Sequence, residues 1–171
     1  MIKYYFLFIA LFVISAAQAQ NGYQIKGTIK GIKPEPLTLA HYFGYGQYIV
    51  KDTAVADAGG NLTFSGDKPL PEGLYMLVMP NKRRFADFVI GKEQNFTFST
   101  DTANVIGNMK IEGSPDSERF YKYQKQLVGY NSEIGFLQVQ QKLRQDLMTQ
   151  AKINNIRRQI MEYYQEFAKE N

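Results

Sequence analysis

At residues 111–124, "IEGSPDSERFYKYQ", the chain changes period. Upstream, apolar residues alternate with polar ones and glycine and proline recur, as strands and tight turns require. Downstream of Pro115 there is no proline, and apolar residues fall three or four apart, the spacing of one helix face. A single switch of this kind specifies a β module followed by helices, with no interleaved βαβ pattern.

From Tyr23 the period is two. Tyr23, Ile25 and Ile29 point one way, and Gln24, Lys26, Thr28 and Lys30 the other. Residues 31–36 form the first turn. Leu37, Leu39 and Phe43 continue the alternation, and "GYGQY", residues 44–48, connects tightly into the strand ending at Val55. "DAGGNLTFSG", residues 57–66, carries the glycines of a second hairpin turn, with Leu62 and Phe64 returning to the core. Residues 74–79 are apolar on both faces, which suggests a central strand or one covered on its second side. Residues 85–90, 95–100 and 108–112 complete about eight short strands, paired as neighbours in sequence. The reading is a mainly β fold with a C-terminal α extension: an antiparallel β-sandwich over residues 20–113, then two helices over residues 114–171.

Ser114 suits an N-cap, Pro115 the first helical position, and Asp116 and Glu118 the positive end of the helix dipole. The first helix is expected to reach about Val128, with "GYNSEIG" (residues 129–135) interrupting it and a second helix running from Phe136. Val139, Leu143, Leu147, Ile153, Ile156, Ile160, Tyr163 and Phe167 then make one apolar stripe, which needs a partner. Candidates are the first helix, the second face of the sheet, another copy, or protein beyond this sequence. With residues 74–79, the stripe fits a sheet whose second face is covered by helix.

Compartment follows from the first residues. Lys3 is a positive n-region, residues 4–14 are apolar, and Ala17-Gln18-Ala19 offers small-x-small, so residues 1–19 read as a signal peptide cut between Ala19 and Gln20. The apolar run falls short of the roughly 20 residues that span a bilayer. The expected location is the periplasm or cell envelope, with no membrane span after cleavage. The chain has no cysteine, which excludes disulfides, thiolate metal sites and a lipidated cysteine. The net charge of +4 is dispersed, and Lys82-Arg83-Arg84 follows a Pro-Asn turn signal, so it reads as a solvated hairpin tip and not a nucleic-acid patch.

"GYQIKGTIKGIKPEPLTL", "VKDTAVADAGGNLTFSG", "PEGLYMLVM" and "IEGSPDSERFYKYQ", in that order, resemble the DUF4369 domain of exported Bacteroidetes proteins. The middle part is also similar to transthyretin-like sandwiches. The resemblance spans Gly22 to about Gln126. It implies a module preceding a helical linker and a thioredoxin-like domain, in thiol-disulfide oxidoreductase or peroxiredoxin-like proteins. No Cys-x-x-Cys occurs here, so that family's catalytic residues have no counterpart in this sequence.

The residues offer little chemistry of their own. His41 is a lone histidine on a strand, without a partner for a metal site. Asp52, Asp57, Asp67, Glu72, Asp87 and Glu93 neighbour turns, and the loop at residues 57–61 lacks alternating calcium ligands. No catalytic residue, metal or cofactor is expected, and an enzyme is not. The one candidate surface is aromatic: Tyr42, Tyr45 and Tyr48, beside Phe43, around the glycine-bearing hairpin. Either these rings grip a protein partner or a glycan, or Phe43 and Tyr48 face the core while Tyr42 and Tyr45 cover the edge. The leading expectation is a non-catalytic interaction or positioning module, partnered by protein or by a redox domain absent from this sequence; the alternative is a glycan-binding sandwich.

Overall fold

The computed structural model describes residues 22–44, 46–144 and 146–170, and the side chains of these except 143, 144 and 170. The signal segment with Ala19 and Gln20, Tyr45, and the side chain of Leu143 lie outside the described residues. Eight strands are described: β1 (Tyr23–Lys30), β2 (Pro36–Gly44), β3 (Gln47–Val55), β4 (Asn61–Gly66), β5 (Gly73–Val78), β6 (Arg84–Ile90), β7 (Asn95–Asp101) and β8 (Lys110–Glu112). They form two four-stranded sheets, ordered β4-β1-β7-β8 and β3-β2-β5-β6. The sheets are mainly antiparallel and pack face to face as a β-sandwich.

Alternation sets which residues meet between the sheets. Ile25, Ile29, Leu37, Leu39, Phe64, Tyr75, Leu77, Phe88 and Ile90 are fully or almost fully buried. Each such side chain contributes roughly 1.5–3 kcal/mol of burial. Phe88 and Phe98 pack with ring centroids 4.8 Å apart. Gly27, opposite Phe98 in the β1–β7 register, leaves the space that this ring fills: a Cβ there would stand 2.3 Å from it.

Two expectations about pairing are corrected. Only β2–β3, β5–β6 and β7–β8 pair as sequence neighbours, because the chain changes layer between β1 and β2, on both sides of β4, and between β6 and β7. β1 therefore lies between β4 and β7, and its pairing with β7 is parallel. β5 is a central strand, as its two apolar faces suggest. Tyr75 and Leu77 enter the main core, while Met76 and Val78 join Ala40 in a small cluster on the outer face.

Beyond the short α1 (Val105–Asn108), two long helices follow: α2 (Pro115–Arg144) and α3 (Leu147–Glu170). α2 starts where the caps predict. The Ser117 amide donates to Ser114 Oγ, and Glu118 reaches back to accept from the Gly113 amide at 3.1 Å. It does not stop at Val128. Residues 129–135 are helical throughout, and Phe136 lies inside α2. Gly129 and Gly135 each cost about 1 kcal/mol relative to alanine, but Tyr130, Ile134 and Leu137 bury a face against Ile153, Ile156 and Ile160 of α3, and that packing offsets the cost. Instead α2 is described as far as Arg144 and α3 starts at Leu147, where Asp146 is the cap. Its carboxylate accepts from the Thr149 amide at 2.6 Å and from the Thr149 hydroxyl at 2.7 Å.

The stripe is corrected accordingly. Ile153 and Ile156 are buried and Ile160 half-buried. Val139 is 59% exposed because it stands two residues from Leu137, on the opposite side of α2 from the packed face, and Leu147, on the first turn of α3, is 88% exposed. Toward the other end of α3 Phe167 stacks on Tyr123, with centroids 4.2 Å apart, and burial helps push the Tyr123 phenol up to about 12. α3 packs antiparallel on α2, and the expected helical cover of the sheet's second face is not what it forms.

What α2 does cover is an edge. Ser117 Oγ donates to the Val89 carbonyl at 2.9 Å and accepts from the Val89 amide at 3.0 Å, so one buried hydroxyl takes the place of a neighbouring strand on β6. Tyr121, 5% exposed, accepts from the Asp87 amide two residues along. Toward the other sheet, Lys125 Nζ donates to the Met109 carbonyl at 2.7 Å. On the opposite side of the sandwich Asp52 of β3 accepts from Tyr23 Oη of β1 at 2.8 Å and from the Ser65 amide of β4 at 3.0 Å. No helix among the described residues is long and apolar enough to cross a membrane.

Candidate interaction surface

β2 and β3 are each nine residues long, whereas β5 has six. β5 accompanies β2 only as far as the His41–Tyr75 pair, so the rest of the β2–β3 hairpin continues as a two-stranded ribbon. Before the ribbon begins, a β-bulge falls at Lys51: Leu39 pairs with Asp52, but Ala40 with Val50. Beyond it His41 faces Ile49, Tyr42 faces Tyr48 and Gly44 faces Gln47. Gly44 and Gly46 have φ of 93° and 75°, the left-handed backbone this turn requires.

Tyr42, Phe43 and Tyr48 lie past the end of β5, and Ile49 and Val50 lie on the edge strand opposite His41 and Ala40, so apolar side chains stand in water on both faces. Tyr42 is 40% exposed, Tyr48 45% and Val50 57%, and Phe43 is 67% and Ile49 44% exposed. Tyr42 and Tyr48 share a face because they are directly opposed. The alternative that put Phe43 and Tyr48 into the core is thereby corrected, since the core ends where β5 ends. The pattern of alternation could not reveal this. The signal was length: the run of strand-forming residues on either side of "GYGQY" outlasts the strand beside it.

The polar residues near this ribbon are held by the fold. His41 stacks on Tyr75, with centroids 4.7 Å apart, and a Cβ on Gly73 would come within 2.7 Å of its Nε2. Tyr75 donates to the Pro71 carbonyl at 2.7 Å, and burial pushes its phenol up to about 12. Asp57 accepts from the Asn61 amide at 2.8 Å, from the Asn61 side chain and from the Gly59 amide; these bonds hold its carboxyl below the usual range and make it a turn residue. Lys82-Arg83-Arg84 closes the β5–β6 turn: Lys82 has φ 62°, Arg83 donates to Asn81 Oδ1, and Arg84 pairs with Asp87. Asp87 is 8% exposed; burial pushes its carboxyl up, opposed by the Arg84 guanidinium, and Oδ1 has no hydrogen-bond partner among the described residues. Sequence reasoning took this carboxylate for a solvated turn residue. Among the described residues no group of three or more His, Asp and Glu is placed to hold a metal ion.

The fold and this surface define a β-sandwich module with a helical hairpin and an exposed aromatic–aliphatic ribbon. The family model "Domain of unknown function (DUF4369)" matches residues 23–120, and the chain belongs to that family. Among solved structures, the crystal structure of BcpA, the major pilin subunit of Bacillus cereus, is similar at 15% identity and a TM-score of 0.31, over 47% of this chain. The match spans 29% of that pilin chain. No curated protein matches the sequence.

Proposed function

We propose that this chain is a non-catalytic interaction module of the periplasm or cell envelope, exported by residues 1–19 and cut between Ala19 and Gln20, which offers its β2–β3 ribbon to a protein partner. The ribbon's exposure carries the reading. Tyr42, Phe43, Tyr48, Ile49 and Val50 stand in water on both faces of a hairpin, while the β6 edge of the same sheet is closed by Ser117 and Tyr121. Exposed apolar strand edges invite pairing, and aromatic residues with few charges suit a binding surface. The resemblance to exported redox proteins supports a positioning role: the sandwich and helical hairpin, residues 20–113 and 114–171, would present a thioredoxin-like domain to its substrates. The redox chemistry would belong to that domain, since this sequence has no cysteine.

A photo-reactive residue in place of Tyr48, in the producing cell, is expected to give a discrete protein adduct. The same residue in place of Thr63, on the polar face of β4, is expected to give none. Equal labelling at both positions, or none at either, contradicts the reading. One observation favours glycan instead: the Tyr42 and Tyr48 rings are opposed on one face and both near half exposed, as a stacking platform requires. Retention of the parent protein on a polysaccharide column, lost in Tyr42→Ser/Tyr48→Ser with the fold intact, would establish that reading in place of the first.

A further inference from the structure

The ribbon exposes a strand edge as well as two faces, and the edge has a sequence suited to itself. β3 is the terminal strand of its sheet. The Asp52 side chain ties the next part of β3 to β4 of the other sheet, and the bulge interrupts the ladder at Lys51, so the regular run with no strand on its side away from β2 among the described residues is 47–51, "QYIVK". That run has no proline and one charge, at Lys51. Edge strands that stay single carry proline, inward charges or a covering element; this one has only the bulge at its base, which ends the run at Lys51.

We propose that residues 47–51 pair antiparallel with the same residues of a second copy of this chain, about a two-fold axis at Ile49, which joins two four-stranded sheets into one. The inference rests on the ribbon being the interaction surface and names its partner. The register follows from the side chains. Centred on Ile49, the pairing sets Tyr48 opposite Val50 of the second copy and Val50 opposite its Tyr48, two aromatic–β-branched pairs of the kind that stabilise sheets. It also sets Gln47 opposite Lys51, without like charges in contact. Ile49 meets its own copy on the other face, beside the exposed Phe43. Centring on Lys51 instead would oppose two ammonium groups. A closed two-fold pairing also consumes the edge, so the assembly stops at two. The contact is small beside a standard interface, so the dimer should form and dissolve with concentration.

Sedimentation velocity of the purified protein from about 10 µM to about 1 mM is expected to show monomer passing to dimer, and Val50→Lys is expected to remain monomeric with an unchanged circular dichroism spectrum. Because the chain has no cysteine, a single introduced thiol gives a second readout that does not depend on that variant. Ile49→Cys should cross-link to itself at least about tenfold faster than Thr63→Cys under the same oxidant, since directly opposed residues of antiparallel strands lie within disulfide reach. A protein that stays monomeric throughout, or equal cross-linking at the two positions, overturns the pairing. A discrete adduct to a different protein at Tyr48 in cells, combined with a monomeric purified chain, would sink the dimer and leave the module reading standing; no adduct anywhere would sink the module reading itself.

Discussion

The sheet β3-β2-β5-β6 ends in two edges that are treated in opposite ways. At β6, Ser117 of α2 pairs with the Val89 amide and carbonyl and Tyr121 with the Asp87 amide, and both side chains are buried. At β3, residues 47–51 carry exposed apolar side chains and have no strand on their side away from β2 among the described residues. The same module therefore spends a helix on one edge and leaves the other open. Protection is not a general property of the chain but a local one, set by which residues follow the last strand.

Breaking the closed edge should cost far more than altering the open one. Tyr121→Ala removes a buried ring and its bond to the Asp87 amide, and is expected to lower stability by about 3–5 kcal/mol, read as a shift in urea midpoint. Ser117→Ala leaves the Val89 amide and carbonyl unpaired beside a buried side chain and should cost about 1–3 kcal/mol by the same measurement. If Tyr48→Ser on the open edge proved as damaging as either, the ribbon would be part of the core and the contrast would fail.

The sequence made much of this legible, for reasons that can be named. The switch of period at residues 111–124 and the caps at Ser114 and Pro115 are local signals, and α2 begins where those signals lie. The two apolar faces of residues 74–79 rightly marked a central strand. What alternation could not show was which strands share a sheet, because β1 reads the same whether its neighbours are β2 or β4 and β7. The glycines at 129 and 135 misled because propensity is weak beside the burial of Leu137 against Ile153, whereas Asp146 and Thr149, a cap written plainly in the sequence, marked the true break. Of the aromatic site, residue types were legible and their exposure was not, since exposure depends on where a different strand, β5, ends.

Asp87 sharpens the comparison on a smaller scale, through pH. Its folded carboxyl is raised by burial, against the opposing Arg84 guanidinium, so the folded state holds this proton more tightly than the unfolded chain does. Its contribution to stability is present below the ordinary carboxylate value of about 3.9 and is lost as pH rises toward the raised folded value. Asp87→Asn should remove that part of the pH dependence in melts across the acid range, and at neutral pH should change stability by no more than about 1 kcal/mol, since Arg84 is itself largely exposed. A large loss of stability would mean the ion pair, and not only α2, holds the β6 edge. The smallest effect belongs to the ribbon: Tyr42→Ser/Tyr48→Ser should leave the melting temperature nearly unchanged, within about 0.5 kcal/mol per position, while abolishing the photo-adduct made from a neighbouring ribbon position.

The contrast between the two edges is read most directly by amide hydrogen exchange followed residue by residue at two protein concentrations. The amides of β6 should be protected at both. Those of residues 47–51 that face away from β2 should exchange freely in dilute solution and become protected at high concentration, or on addition of a bound partner. Equal, concentration-independent protection at both edges would contradict the account.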